Sequence, residues 1–394
     1  MSPSLSPLDH QLLGALRLGD GQPVSGKAIG LALSVSRAAV WKRIEGLRKV
    51  GYRIDSVPRR GYVLTLEPDT PTPEAVGPLL DHSTRQHGLF AQEKIHFFET
   101  LDSTNIQAGI LARAGALDGT VVVADHQSQG KGRLGRSWDS PSGLNLYFSL
   151  ILRPDIYPRH AAQLTLLTGL ALAEVVQAVG GEAVQIKWPN DLLLGGRKLA
   201  GILTEMAVEA DRIQFVVVGV GVNLNASVSD LSPELAQIAT TLSDYLSQDS
   251  TVVGASQRQS SDSPGCTKKS FSPHSTSGIA TITSDKSDGC AYGIGATPEF
   301  TLKKTVKRSR FLADFLNRFD GWYHRYLTGG FAPIRSIWLE RSAISGRKVR
   351  INLFQESFTA WAVDLDSEGF LTVKREDTGE ETRVLAGDVF LLDS

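Results

Sequence analysis

Between Gly130 and Trp138 the chain reads Gly-Lys-Gly-Arg-Leu-Gly-Arg-Ser-Trp, which puts Lys131, Arg133 and Arg136 into six glycine-rich residues. Glycines let backbone approach a ligand closely, and these cations suit a carboxylate and a phosphate brought together. The string satisfies the dinucleotide pattern G-x-G-x-x-G and nearly satisfies the phosphate-loop pattern, with Arg136 where that pattern demands lysine. Both patterns need a helix immediately afterwards, so that phosphate sits on its N-terminus. Here Asp139-Ser140-Pro141-Ser142-Gly143 is a turn and Leu144 to Leu152 reads as a strand, so the anion must be held another way. Like charges crowded on a glycine loop repel one another without an anion, which predicts a loop that orders when ligand binds.

A second constellation is Lys187-Trp188-Pro189-Asn190-Asp191, followed by Arg197-Lys198-Leu199-Ala200-Gly201. A strand ending at Trp-Pro and restarting after Asn-Asp puts short polar side chains at a break, where Asp191 could hold a magnesium ion bridging nucleotide phosphates. In isolation such a pair is only a turn. A third element, Leu101-Asp102-Ser103-Thr104-Asn105, starts a helix, and its plain reading is an N-cap. No Ser-His-Asp or Cys-His constellation stands out. Cys266 and Cys290 lie together in a Ser-rich stretch and supply neither a disulfide framework nor a zinc site, so any metal chemistry must use oxygen ligands.

These segments need a scaffold. From about Lys94 strand-like stretches (Ile95 to Phe98, Thr120 to Ala124, Leu144 to Leu152, Val184 to Lys187, Leu199 to Met206, Ile213 to Val220) alternate with helical ones (Thr104 to Ala114, Ala161 to Val179). Several strands follow one another through short turns, which predicts an α+β domain with a mixed or antiparallel sheet. Ahead of it, Leu8, Leu12, Leu13 and Leu16 repeat at helical spacing, Ser25 can cap a second helix carrying Ile29 and Leu31, and Ser36 a third. On that third helix Val40, Ile44 and Leu47 face a core, leaving Arg37, Ala38, Trp41 and Lys42 on the opposite side. Tyr52 to Val57 and Gly61 to Leu66 read as strands joined at Pro58-Arg59-Arg60, which completes a winged helix-turn-helix. Its candidate DNA contacts are Ser36, Arg37 and Lys42 on the helix and Arg59 and Arg60 at the hairpin tip. A helix-turn-helix kept for protein docking is the alternative. Residues 1–66 hold ten basic and four acidic residues, a net charge of +6, in a chain whose total is −1, as expected of a nucleic-acid-binding head on an acidic body.

The chain therefore divides into a winged helix over 1–66, a proline-rich linker over 67–93, a catalytic domain over 94–340 and a C-terminal unit over 341–394. Residues 248–300, rich in Ser, Thr, Gly and Asp, read as a disordered insertion in the catalytic domain. The C-terminal unit alternates as short strands broken at Asp366-Ser367-Glu368-Gly369 and Asp377-Thr378-Gly379, which predicts a β-barrel of about five strands. With 41% hydrophobic and 21% charged residues, no readable secretory signal and no apolar run near the ~20 residues that cross a bilayer, a cytoplasmic protein without a membrane partner is expected.

LDSTN, DHQSQGKGRLGRSW, KWPNDLLLGGRKLAGIL and VGVGVN occur in that order, behind SRAAVWKRIEGLRKVGYRIDSVPRRGYVL. This series resembles the bifunctional biotin protein ligases that double as biotin operon repressors, over the whole chain apart from the insertion. The resemblance implies a catalytic domain like that of class II synthetases, with biotin and ATP as substrates, Mg2+ as cofactor, and formation of biotinyl-5'-AMP before transfer to a lysine of another protein. It implies that Ser103, Thr104, Asn105, Gln127, Lys131, Gly132, Arg133 and Lys198 meet biotin. Gly130, Arg133, Arg136, Trp138, Lys187, Asn190 and Asn223 would meet ATP, and Asp191 the metal. Lys198, Arg133, Lys187 and Asp191 are then the catalytic set. Many relatives carry arginine where this chain has Lys131, which keeps the charge and loses the planar fork. The implied partners are the biotin carboxyl carrier domain of acetyl-CoA carboxylase or a similar carboxylase, the operator DNA of biotin genes, and a second copy of the chain. A lipoate or octanoate ligase-transferase of the same fold, a ligase without a repressor role, and a transcription factor that only senses biotin are the competing expectations.

Overall fold

The computed structural model describes residues 6–19, 21–49, 52–66, 69–231, 233–255, 305–353 and 355–392. Helices α1 (Pro7–Arg17), α2 (Gly26–Ala32) and α3 (Arg37–Lys49) precede an antiparallel hairpin of β1 (Arg53–Val57) and β2 (Gly61–Leu66). Ser6 and Asp9 form a capping box on α1, the Ser25 hydroxyl accepts from the Lys27 and Ala28 amides, and the Ser36 hydroxyl accepts from the Ala39 amide at 3.2 Å. Each cap satisfies amides that the first helical turn leaves without a partner. Leu12, Leu13, Leu16, Ile29, Val40, Ile44 and Leu47 of the helices close a core of their own with Ile54 of β1, while Leu31 of α2 is exposed.

The segment expected as linker departs from that expectation after its first residues. Thr72 caps α4 (Pro73–Val76), Asp81 caps α5 (His82–His87), and Val76, Leu80 and Phe90 are buried in the main core. Proline-rich composition ends at Pro73, and the anchoring apolar residues after it are too sparse to show a period. Asp69 is fastened as well: its carboxylate accepts from the Ser309 amide at 3.1 Å and from the Arg308 amide, at the start of a long C-terminal helix. Arg308 is only 4% exposed, and its guanidinium reaches Asp125 at 2.7 Å.

The central domain is built on seven strands: β3 (Ile95–Leu101), β4 (Thr120–Gln127), β5 (Leu146–Leu152), β6 (Val184–Lys187), β7 (Asp191–Leu194), β8 (Arg197–Glu209) and β9 (Arg212–Val222). Their order is β3-β4-β5-β9-β8-β7-β6, with β3 and β4 parallel and every other neighbouring pair antiparallel. Side chains alternate between sheet faces. Val121, Val123, Phe148, Leu150, Val216, Val218 and Val220 join a core with α7 (Ala161–Ala178) and α10 (Arg308–Gly329). Val122, Ile151, Phe215 and Val217 pack with Ala108 and Ala112 of α6 (Thr104–Arg113) on the other face. The α7 segment passes length and composition criteria for a membrane span, but 72% of it is buried inside the protein, as suits a helix apolar all round at the centre of a core.

After β9 come α8 (Pro233–Ile238) and α9 (Leu242–Ala255). Residues 248–255, placed in the expected insertion, continue α9 as helix; the remainder of that insertion lies outside the described residues. Following α10, α11 (Ala332–Glu340) leads into β10 (Lys348–Asn352), β11 (Ser357–Leu365), β12 (Leu371–Arg375), β13 (Glu381–Val384) and β14 (Asp388–Leu391). These five form an antiparallel sheet of order β13-β12-β11-β10-β14. Its turns fall at the predicted breaks, where Gly369 and Gly379 take positive φ.

Candidate functional site

A cavity of about 500 Å³ opens on the α6 face of the central sheet. Period-two alternation explains the room: at Ser149, Gly219 and Gly221 the strands place small residues on that face, between large ones on the other. A Cβ on Gly219 would stand 1.9 Å from Asn105 Oδ1, and one on Gly221 2.5 Å from the Trp138 ring. The two glycines of the VGVGVN segment are therefore the floor on which Asn105 and Trp138 lie. A Cβ on Gly130 would likewise meet the Trp138 carbonyl at 2.4 Å.

One part of the lining is neutral and rich in hydrogen bonds. Ser103 occupies the N-cap position of α6 but makes no cap bond; the Thr104 amide donates instead to Gln127 Oε1 at 2.8 Å. The plain reading of Ser103 as a cap is thus corrected, because a side chain from the neighbouring strand does the capping. Gln127 Nε2 donates to Ser140 Oγ at 2.9 Å. Asn105 Nδ2 donates to the Leu203 carbonyl at 3.2 Å and to Glu205 Oε2 at 2.7 Å, while Asn105 Oδ1 accepts from Ser149 Oγ at 2.7 Å. Both amide hydrogens are donated and Oδ1 accepts once, which orients the amide and leaves acceptor capacity on Oδ1.

The other part is cationic. Lys198 Nζ lies 2.7 Å from Asp191 Oδ1 and 5.5 Å from the Trp138 ring centre, and Lys187 Nζ is 3.8 Å from Asp191 Oδ2. Arg133 donates to Asn190 Oδ1 at 3.0 Å and to the Gly387 carbonyl at 3.3 Å, and Arg136 pairs with Asp388. Burial pushes the Lys187 ammonium below the usual lysine range against the pull of Asp191, and burial also lowers Arg133. The glycine loop folds as a small hairpin, with Lys131 bridged to Ser137, the Gly132 amide on the Arg136 carbonyl at 2.7 Å, and Leu134 at φ 55° at its tip.

Ser103, Thr104, Asn105, Gln127, Gly130, Lys131, Gly132, Arg133, Arg136, Trp138, Asn190, Asp191, Lys198 and Asn223 all line this one cavity. Lys187 reaches it through Asp191. Sequence reasoning did not single out Ser140, Asn145, Leu231, Leu235, Ile238 or Asp388, which line it too. Asp388 arrives from the C-terminal sheet, more than 250 residues from Arg136, and no local signal announces it. Among the described residues no group of three or more His, Cys, Asp or Glu could hold a metal ion. Asp191 is paired with both Lys198 and Lys187.

In the N-terminal domain, Arg37, Ala38, Trp41 and Lys42 are exposed along α3, and Pro58, Arg59 and Arg60 at the hairpin tip. Arg43 and Arg48 turn inward instead, onto Asp9 at 2.9 Å and the Ile54 carbonyl at 2.8 Å.

Residues 98–223 match the Biotin/lipoate A/B protein ligase family, residues 10–63 an HTH domain, and residues 344–392 the Biotin protein ligase C terminal domain. The chain is 32% identical over 375 residues to the bifunctional ligase/repressor BirA of Bacillus spizizenii, covering 94% of this chain and 95% of that protein. It is 33% identical over 255 residues to the biotin–[acetyl-CoA-carboxylase] ligase of Paracoccus denitrificans, covering 63% of this chain and 80% of that one. The solved structure of a biotin protein ligase from Aquifex aeolicus in complex with biotin and ATP matches with a TM-score of 0.51 at 23% identity, over 76% of this chain and 99% of that one. At that identity the likeness speaks to the fold.

Proposed function

Because the chain belongs to the family of bifunctional biotin ligases and repressors, we propose that its cavity joins biotin to ATP and that the activated biotin passes to a lysine of a carboxylase carrier domain. The carrying observation is that one cavity unites a neutral, hydrogen-bonding lining with a cationic one. Biotin has the matching halves: a ureido ring with donors and acceptors, which suits Ser103, Thr104, Asn105 and Gln127, and a carboxylate, which suits Lys131, Arg133 and Lys198.

The reaction explains the cations. An oxygen of the biotin carboxylate attacks the α-phosphorus of ATP, the bond to the β-phosphate oxygen breaks, and pyrophosphate leaves. Two anions must approach, so Lys198, Lys187 and Arg133 offset their repulsion and the charge that develops between them. Trp138 and Asn223, which line the same cavity, are assigned to the nucleotide. Magnesium enters with ATP as part of the substrate, since Asp191 is held between Lys198 and Lys187. The lid is the loop around Arg133, which excludes water from the mixed anhydride.

The winged helix is a biotin-responsive repressor head. Its support is the exposed row Arg37, Trp41 and Lys42 on α3 together with the exposed Arg59 and Arg60 at the hairpin tip. The finer expectations belong to the same reading: a barrel-like C-terminal unit, a class II synthetase-like centre, a homodimer on a biotin-gene operator, and a cytoplasmic setting.

The test is incubation of the full chain with ATP, magnesium and a biotin carboxyl carrier domain, with lipoate and octanoate in parallel. Biotin-dependent pyrophosphate release and mass gain on the carrier are expected. Activity with lipoate or octanoate alone would overturn the biotin assignment.

A further inference from the structure

A second cavity, of about 520 Å³, abuts the first across the glycine loop, and Lys131, Arg133, Arg136 and Leu203 line both. Its remaining walls include Thr165 of α7 and Thr204 and Glu205 of β8, with the two threonine hydroxyls 2.7 Å apart. β7 pairs with β8 only from Arg197 to Gly201, so beyond that point, among the described residues, this edge of β8 has no strand beside it. The second cavity thus gives access to the shared loop wall from outside the ligand chamber.

Charge makes that access selective. Three loop cations line both cavities, which suits anionic ligands and opposes an incoming ammonium. Glu205 is the one carboxylate lining the second cavity, and among the described residues it has no cationic partner. Its Oε2 accepts from Asn105 Nδ2 at 2.7 Å, which ties it to a residue of the first cavity, while the residue itself remains exposed. Asp191 and Asp388, by contrast, are already paired with lysines and an arginine.

We infer that Glu205 receives the ε-ammonium of the acceptor lysine and steers it through the second cavity toward the activated carboxyl. This rests on the ligase reading above and adds to it the group that handles the second substrate. A lysine near neutral pH arrives protonated. The Glu205 carboxylate offsets the loop cations as the ammonium enters. One proton is lost to solvent, and the nitrogen lone pair forms the C–N bond at the anhydride carbonyl. The C–O bond to AMP breaks, AMP leaves as its phosphate dianion, and the second proton passes from nitrogen by way of Glu205 to solvent. Charge balances: one ammonium and one adenylate monoanion give a neutral amide, a dianion and two protons.

The experiment separates steering from support of Asn105. Glu205→Gln keeps an oxygen that can accept from Asn105 and removes the charge. Full-length wild type and variant are loaded with biotinyl-AMP made in place, stripped of free ATP, and mixed either with a biotin carboxyl carrier domain or with hydroxylamine, a nucleophile that is uncharged near neutral pH. The expected result is a loss in transfer to the carrier lysine at least tenfold larger than any loss in hydroxylamine cleavage. Equal losses with both nucleophiles, or no loss with the carrier, overturn the inference. Failure of wild type to form the adenylate at all overturns the ligase reading itself and is seen before any nucleophile is added.

Discussion

Lys198 concentrates the chemistry at the scale of a single residue. It is linked to Asp191 at 2.7 Å, it lies over the Trp138 ring, and it lines the cavity beside Arg133. Lys198→Ala should lower pyrophosphate release by about 100-fold, since removing one preorganised charge at a reacting centre costs about 3 kcal/mol. An undiminished burst of pyrophosphate would remove the central mechanistic claim. Lys187 adds a pH signature. Burial lowers its affinity for a proton, so the free enzyme loses this cation earlier on the alkaline side than an ordinary lysine near about 10.4 would. In kcat/KM for ATP the alkaline limb should therefore fall below the ordinary lysine value, and Lys187→Arg should move it upward. An unshifted limb in that variant would release Lys187 from the role. Stability follows the same sign: a lysine with depressed folded pKa contributes stability above its unfolded pKa, and this is lost as pH falls through the folded value. Holding Lys187 charged near neutrality is thus a cost of the site. Lys187, Lys198 and Arg133 were legible because several cations within short polar and glycine-rich segments are unusual. Glu205 and Asp388 were not, because isolated carboxylates on strand-like segments are ordinary until the fold sets them beside the loop.

At the scale of elements, the site depends on where strands end and which face each residue takes. The strand-like stretches were placed correctly, but β4 runs on to Gln127, β3 to Leu101 and β8 to Glu209. The β4 extension carries Gln127, whereas Glu205 falls within the expected Leu199 to Met206 stretch. Polar strand ends look like loops by propensity, yet their backbone groups still pair across the sheet, as His126 and Gln127 do with Thr100 and Leu101. The restart of the strand after Asn-Asp is β7, four residues between two turns and too short to show a period of its own. The VGVGVN motif is recognisable in sequence, but its physical basis appears only with the opposing side chains. Gly221 must lack a Cβ because Trp138 occupies that space. Gly221→Ala should push the ring away from the nucleotide side, raising KM for ATP about tenfold, or about 1.4 kcal/mol. The loss for biotin should be smaller. Steady-state kinetics with each substrate varied in turn reads this directly, and an unchanged KM for ATP would show that the ring can yield without consequence.

At the scale of the whole molecule, a basic head of charge +6 is joined to a body of charge −7. From Asp69 onward the chain is fastened to the body, because Asp69 accepts from the first amides of α10 and Arg308 connects it to Asp125, at the start of the DHQ segment that leads into the glycine loop. A buried cation satisfied by two carboxylates and the Asn145 carbonyl binds linker, helix and ligand-bearing strand into one packed unit. Sequence alone could not reveal this, since the partners lie 183 and 239 residues apart. Such a unit suits a protein whose ligand state is read out on DNA. A single winged helix binds weakly, whereas a two-fold dimer meets two half-sites and gains by effective concentration. Biotin with ATP should therefore tighten retention of a palindromic fragment from the biotin-gene promoters. Affinity should fall steeply with salt, with each neutralised phosphate adding about −0.9 to the log–log slope. Replacing Arg37 and Lys42 together by alanine should flatten that slope and abolish retention, while biotinylation of the carrier continues because both residues lie on the exposed face of α3, away from the cavity. Gel retardation at low and raised salt, with the adenylate-loaded protein confirmed as a dimer, decides it. If wild-type dimer leaves the promoter fragment unretarded at low salt, or the double variant retards it equally well, the basic face of α3 does not read DNA and the head serves another purpose.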